Sequence, residues 1–247
     1  MKIIVAIPAR YGSSRFEGKV LAKDTGKFLV QHTYERALCA KSVEKVLIAT
    51  DSEEVKVACE SFGAECVMTS IEHKSGTDRI AEAIKGVECD IVVNLQADEP
   101  QIVPRYIDKV AGLLAETEWA DMATLVAAFE TKEQVEDTNI VKALLDRNDR
   151  AIYFSRSVVP YDRGAKGAGK VSEYLRHLGI YAYRKEFLLK VTELEQSFLE
   201  RTEKLEQLRA IENGYSIVAA KVEHAWDGID TAEQYVAFVE RYREDSK

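Results

Sequence analysis

The rhythm of hydrophobic and polar positions along the chain changes once, near residue 120. Before that point, short and largely apolar runs at 3–7, 46–50, 65–69 and 90–95 alternate with stretches of helical spacing. Such runs, bounded by turn signals, predict strands covered on both faces. The intervening stretches predict helices over 28–41, 53–62, about 76–85 and 104–116. Leu29, Thr33, Ala37 and Ala40 recur at helical spacing in the first. Asp51-Ser52 opens the second and Gly63 ends it, and Pro104 stands at the first turn of the fourth. Four strand–helix alternations predict a parallel α/β sheet with right-handed crossovers.

After residue 120 the strands come closer together. Runs at 122–129, 140–145, 151–155 and 174–183 predict a smaller, more antiparallel subdomain inserted into the fold. A short helix between the first two starts at Thr131 with Gln134, a capping box. The Gly-, Lys- and Arg-rich segment 162–169 reads as a mobile loop. Ser197 with Glu200 opens a helical region that Gly214 ends, 217–222 is a late strand, and Thr231 with Gln234 caps a terminal helix to about Arg243. The expected fold class is therefore α/β: a mixed, mostly parallel sheet flanked by helices, with an antiparallel insert. As domains this is one unit over 1–247, with a first half at 1–119, the insert at 120–185 and a return to the main sheet at 186–247.

Composition narrows the function classes. The net charge of -8 argues against a nucleic-acid partner. No apolar run approaches the ~20 residues of a membrane helix, and the apolar start is too brief for a signal peptide. Cys39, Cys59, Cys66 and Cys89 show neither CxxC nor zinc-like spacing, so they read as reduced, mostly buried thiols of a cytoplasmic protein. His32, His73 and His224 have no metal-ligand spacing.

Against this acidic background one loop is basic. Pro8 stops the first strand, and Arg10, Arg15 and Lys19 follow against a single acid, Glu17. Gly12 and Gly18 allow close backbone approach, and Ser13 and Ser14 add hydroxyl donors. A basic loop beyond the carboxyl end of a buried strand suits a polyanion, although a solvated polar loop has the same composition. Five residues separate Gly12 from Gly18 and Val20 follows Lys19, which excludes Walker A, and the GxGxxG of dinucleotide folds is absent. Two further loops fall at the same edge of the sheet, 75–79 and 96–99. Asp98 there is either a turn residue or a ligand for the divalent ion that a triphosphate brings, with Asp230 as second carboxylate and Asp227 as fallback; Asp230 also precedes a helix it could cap.

The segment 7–15 with Gly18-Lys19 resembles the signature of the sugar nucleotidyltransferases. It is most similar to the 3-deoxy-manno-octulosonate cytidylyltransferase (CMP-Kdo synthetase) family. Ser75-Gly76-Thr77-Asp78-Arg79, Gln96-Ala97-Asp98-Glu99-Pro100, Tyr153-Phe154-Ser155-Arg156, His177-Leu178-Gly179-Ile180-Tyr181, Leu205-Glu206-Gln207-Leu208-Arg209 and Gly228-Ile229-Asp230-Thr231 are similar to that family's blocks, in its order.

The resemblance implies cytidylyl transfer from CTP to an acidic eight-carbon sugar for lipopolysaccharide biosynthesis, with Mg2+ as cofactor and a homodimer. Arg15, Lys19 and Asp98 would be catalytic. Ala9, Arg10, Arg15, Lys19, Ser75, Gly76 and Gln96 would hold CTP. Arg79, Gln96, His177, Tyr181, Glu206 and Gln207 would surround the sugar, and Asp98 and Asp230 would hold the metal. From the residue types alone, Arg79 suits a carboxylate as a fork and the amides suit hydroxyls. Equally, His177 can be a hydrogen-bonded structural histidine, and Glu206-Gln207-Arg209 a solvated helix face.

Phe16-Glu17, Val20 and Ala97 depart from the family pattern, and Glu17 is expected to point away from the phosphates. Ala97 would cost about 1 kcal/mol or more if its φ is positive. These departures leave open the 8-amino analogue of the sugar, another acidic sugar such as a sialic acid, and a catalytically inactive nucleotide-binding regulator.

Overall fold

The computed structural model describes all residues except 13–15, 226–227 and 246–247. The chain divides into two compact units, one formed by residues 1–108 and 226–247, the other by 109–225.

The first unit opens with β1 (Ile3–Pro8), α1 (Leu29–Leu38), β2 (Lys45–Thr50), α2 (Glu53–Ser61), β3 (Glu65–Met68), α3 (Gly76–Ala83) and β4 (Ile91–Asn94). α4 (Pro104–Glu116) runs across the boundary between the units. β1 pairs in parallel with both β2 and β4, with Val5 opposite Val46 and Val93, and β2 pairs in parallel with β3. All six residues of β1 and all four of β4 are buried, as strands covered on both faces require. Ser52 caps α2 by accepting from the Val55 N–H, and Ser75 caps α3 by accepting from the Asp78 N–H.

The second unit contains β5 (Met122–Ala128), α5 (Lys132–Glu136), β6 (Lys142–Leu145), β7 (Ala151–Ser155), β8 (Leu175–Arg184), α6 (Lys185–Val191), α7 (Phe198–Glu203), α8 (Gln207–Glu212) and β9 (Ile217–Val222). β5 lies between β8, antiparallel, and β9, parallel. β6 joins β7 and β8 as antiparallel pairs. The α9 helix (Ala232–Asp245) then returns to the first unit, where Tyr235, Phe238 and Val239 pack with Leu29 and Ile229.

Residues 186–225 belong to the second unit, where β9 ladders onto β5 along Met122–Ala127. Two expectations change. The helical region opened by Ser197 breaks at Lys204, whose φ of 56° ends α7 before α8 begins. Of the four free cysteines only Cys59 is buried outright, and Cys39 is exposed. The segment at 162–169 is organised by Asp162, whose carboxylate accepts the N–H groups of Gly164 and Ala165 at 2.7 and 2.9 Å. Among the described residues no helix is long and apolar enough to cross a membrane.

Candidate active site

The first unit gathers its candidates at the carboxyl ends of β1 and β4. The Ala9 N–H donates to Ala49 O at 2.8 Å, so the chain leaves β1 still tied to β2 and Ala9 is fully buried. Arg10, next in sequence, is exposed. Arg15, with Ser13 and Ser14, lies outside the described residues. The loop closes where the Gly18 N–H donates to Tyr11 O at 3.1 Å. Gly18 has φ 64°, the left-handed conformation that glycine adopts without strain, and it lies against the Tyr11 ring. Phe16 turns inward against Tyr235, with ring centroids 5.6 Å apart, while Glu17 is exposed.

Lys19 follows, opening a 3-10 turn over Lys19–Leu21, and is only 9% exposed. Its ammonium donates to Asp98 Oδ2 at 2.6 Å, to Ile229 O at 2.8 Å and to Asp230 Oδ1 at 3.3 Å. Ile229 N–H in turn donates to Asp98 O at 2.9 Å, which fixes the 228–231 segment against the end of β4. Gly228 is packed so closely that a Cβ would meet Glu99 Oε1 at 3.2 Å. The cap of α9 is Thr231, whose Oγ1 accepts the Gln234 N–H. The carboxylate of Asp230 meets Lys19, and Thr231 caps the helix beside it. Asp227 lies outside the described residues. Ala97 is not among the described residues of positive φ, so alanine carries no backbone penalty there, and its carbonyl accepts from Thr33 Oγ1 at 3.0 Å.

Ser75 and Gly76 reach the same edge. A Cβ on Gly76 would meet Pro8 Cγ at 3.0 Å and Gln96 Oε1 at 3.7 Å. The absence of a side chain thus lets the start of α3 close on the ends of β1 and β4. Gln96 Nε2 donates to Asn94 Oδ1 at 3.0 Å.

Arg79 lies deeper than a fork open to a sugar carboxylate would. It is 3% exposed, and its guanidinium donates through Nη2 to Asp51 Oδ2 at 2.6 Å and through Nη1 to Thr69 Oγ1 at 2.7 Å. One of its two terminal nitrogens is thus held by a carboxylate of the chain itself and the other by a hydroxyl.

In the second unit His177 and Tyr181 share a face of β8, with rings 5.3 Å apart, although a β-bulge beside Thr124 shifts the register between them. His177 Nε2 is hydrogen-bonded to Thr124 Oγ1 at 3.0 Å and its ring meets Phe154 edge-on. Burial pushes the imidazole down to about 3, so it is neutral near pH 7, and burial, with Tyr183 and Glu206 nearby, holds the Tyr181 phenol well above its ordinary value. Gln207 is 4% exposed and its Nε2 has no hydrogen-bond partner. Glu206, beside it, is exposed.

Gln207 and Arg209 thus do not form a solvated helix face. Arg209 makes a two-toothed pair with the buried Glu200, at 2.8 and 2.7 Å, which fixes α8 on α7. Sequence reasoning also missed Glu203, which accepts from Ser155 Oγ at 2.6 Å and from the Arg156 N–H at 2.9 Å.

Asp98, Asp230 and the Ile229 carbonyl are hard oxygen donors already converging on a cation, the chemistry that Mg2+ selects when substrate phosphates complete its shell. Among the described residues no cluster of three or more His, Cys, Asp or Glu forms a self-sufficient metal site. The residues therefore fit an ion shared with a phosphate ligand.

A parallel sheet with a cation-lined, glycine-tightened edge defines a nucleotide-binding α/β protein, and comparison with known proteins places it further. Residues 4–218 match the family model described as Cytidylyltransferase. A 3-deoxy-manno-octulosonate cytidylyltransferase of Rhodopirellula baltica is 46% identical over 246 residues, covering 98% of each chain, and one of Geotalea daltonii is 41% identical, covering 99% of each. The solved structure of a CMP:2-keto-3-deoxy-manno-octonic acid synthetase complexed with CTP superposes with a TM-score of 0.92 at 40% identity, covering 99% of this chain and 100% of that one. The chain belongs to the 3-deoxy-manno-octulosonate cytidylyltransferase family.

Proposed function

We propose that the chain transfers the cytidylyl group of CTP to the anomeric hydroxyl of 3-deoxy-manno-octulosonate, giving the CMP-sugar and pyrophosphate. The observation that carries this reading is the meeting of Lys19, Asp98 and Asp230 at the strand ends of the first unit, beside the approach of Gly76 to Pro8 and Gln96. Family membership supplies the nucleotide and the sugar acid.

In this reading Arg10, Arg15 and Lys19 bind the triphosphate and stabilise the charge that gathers on departing pyrophosphate. The backbone at Ala9 with Ser75, Gly76 and Gln96 holds the cytosine, excluding water and fixing the α-phosphorus for in-line attack. Asp98 and Asp230 hold Mg2+, which when bound neutralises phosphate charge and makes the attacking hydroxyl more acidic. Neutral His177 and protonated Tyr181 offer hydrogen bonds to sugar hydroxyls, Gln207 Nε2 donates one, and Glu206 accepts. Arg79 acts one step back, bracing α3. The protein works as a cytoplasmic homodimer in lipopolysaccharide biosynthesis; a sedimentation mass equal to the 27.8 kDa chain would refute the dimer.

Mass analysis of products formed from CTP and Mg2+ with 3-deoxy-manno-octulosonate, its 8-amino analogue and a sialic acid tests the acceptor. The CMP adduct of the first is expected to dominate. Dominance of another adduct would reassign the sugar, and none from any acceptor despite CTP binding would favour a regulator.

A further inference from the structure

Lys19 has two sets of anionic partners, and it cannot serve both at once. Its three N–H donors are all taken by the chain itself, by Asp98 Oδ2 at 2.6 Å, Ile229 O at 2.8 Å and Asp230 Oδ1 at 3.3 Å. Lys19 is 9% exposed and the Asp98 side chain a quarter exposed, so water screens that contact little; the Asp230 side chain is 45% exposed, and its longer contact is the more screened of the two. Asp98 and Asp230 come from segments 132 residues apart in sequence, and their two carboxylates need a cation between them to lie so close.

A divalent ion bound to both carboxylates would lie at about 2.1 Å from its oxygens. That places it within a few ångströms of the ammonium, where like charges repel. One cation or the other can hold this pair of carboxylates. The Lys19 side chain has a flexible four-carbon stem rooted beside Gly18, at the exit of the loop that carries Arg10. It can leave the carboxylates without the strands moving.

We propose that Lys19 is an exchangeable counter-ion, holding Asp98 and Asp230 in register until a divalent cation takes them over, and then passing to the triphosphate. This rests on the reading of Asp98 and Asp230 as the metal ligands. The consequence is a built-in coupling. A triphosphate that draws Lys19 away uncovers the carboxylates for the divalent ion, and the ion that takes the carboxylates frees Lys19 for the triphosphate. Each then strengthens the other's binding by the same factor. Metal without nucleotide is held weakly, which keeps the site from being blocked by an ion alone.

Mn2+ serves as the probe, with free Mn2+ read by electron paramagnetic resonance during titration of the wild type, Lys19→Met and Asp98→Asn. The expected result, without nucleotide, is weak binding by the wild type and binding about tenfold or more tighter by Lys19→Met, the size of a typical coupling. CTP should tighten Mn2+ binding in the wild type and do so far less in Lys19→Met. Equal Mn2+ affinity of the wild type and Lys19→Met, with binding lost in Asp98→Asn, would overturn the exchange while keeping the metal ligands. Undiminished binding by Asp98→Asn would overturn the ligand assignment and the exchange with it. Lys19→Gln is carried in parallel, so that a folding defect in the methionine variant does not decide the outcome.

Discussion

Arg79 Nη2 donates to Asp51 Oδ2 at 2.6 Å, both side chains largely buried, and this pair ties the first turns of α3 to the end of β2. Arg79 Nη1 adds Thr69, just past β3, so one guanidinium draws three elements together behind Ser75 and Gly76. Breaking a buried pair by removing one partner leaves an uncompensated charge and costs about 3–5 kcal/mol. Arg79→Met should lower the unfolding free energy by that order in denaturant titrations. Arg79→Lys, which keeps the charge and loses the fork, should raise the KM for CTP more than that for the sugar. A sugar KM that rises alone, with unchanged stability, would return Arg79 to the sugar.

Gln207 presents the opposite case. A buried Nε2 without a partner is a cost to the fold, and replacing it with an apolar group of similar shape is neutral or stabilising. Gln207→Leu should therefore leave the melting temperature unchanged or raised while lowering kcat/KM for the sugar by about tenfold or more, the loss expected when a hydroxyl of the substrate loses its partner. A lowered melting temperature with unchanged sugar kinetics would make Gln207 a structural residue.

Two histidines set an acid limit. His32 is 7% exposed, is hydrogen-bonded through Nε2 to Thr25 Oγ1 at 2.7 Å, and has its value lowered to about 4, first by burial and then by Lys27. His177 is lowered to about 3 by burial. Because both folded values lie below the unfolded value near 6.5, protons bind the unfolded chain first. The stability these groups contribute is complete above pH 6.5 and is lost as pH falls toward their folded values. For His32 the loss between pH 7 and pH 5 is about 2 kcal/mol. Melts at those two pH values should differ less for His32→Gln than for the wild type, and an unchanged difference would contradict the assignment. Since His177 is already neutral at pH 7, the sugar KM should show no titration near 6.5.

Much of this fold is written in local signals. Buried runs such as 3–7 and caps such as Ser52, Thr131 and Ser197 act within a few residues, and each forms as the pattern predicts. What the pattern does not carry is long-range pairing. Nothing near Arg79 in sequence announces that Asp51 will occupy it, and nothing near 186–225 announces that β9 will join β5. Glu206-Gln207-Arg209 looks like a solvated face because the burial of Arg209 depends on Glu200, which sits on a different helix. The candidate site was legible as residue types gathered at strand ends, whereas the direct grip of Lys19 on Asp98, across 79 positions, was not.

Asp98 is the residue on which the chemistry turns. Asp98→Asn keeps size and hydrogen bonding but removes the charge that a divalent ion requires. A loss of about 10³-fold or more in kcat is expected, several kcal/mol of transition-state stabilisation. Full retention of activity would remove Asp98 from the metal site.

The most direct test is pyrophosphate release from CTP by the wild-type protein, followed with and without 3-deoxy-manno-octulosonate and with and without Mg2+. The account predicts turnover only when nucleotide, sugar and divalent ion are all present, with one pyrophosphate for each CMP-sugar formed. CTP binding without pyrophosphate release, or release that ignores the sugar, would contradict it.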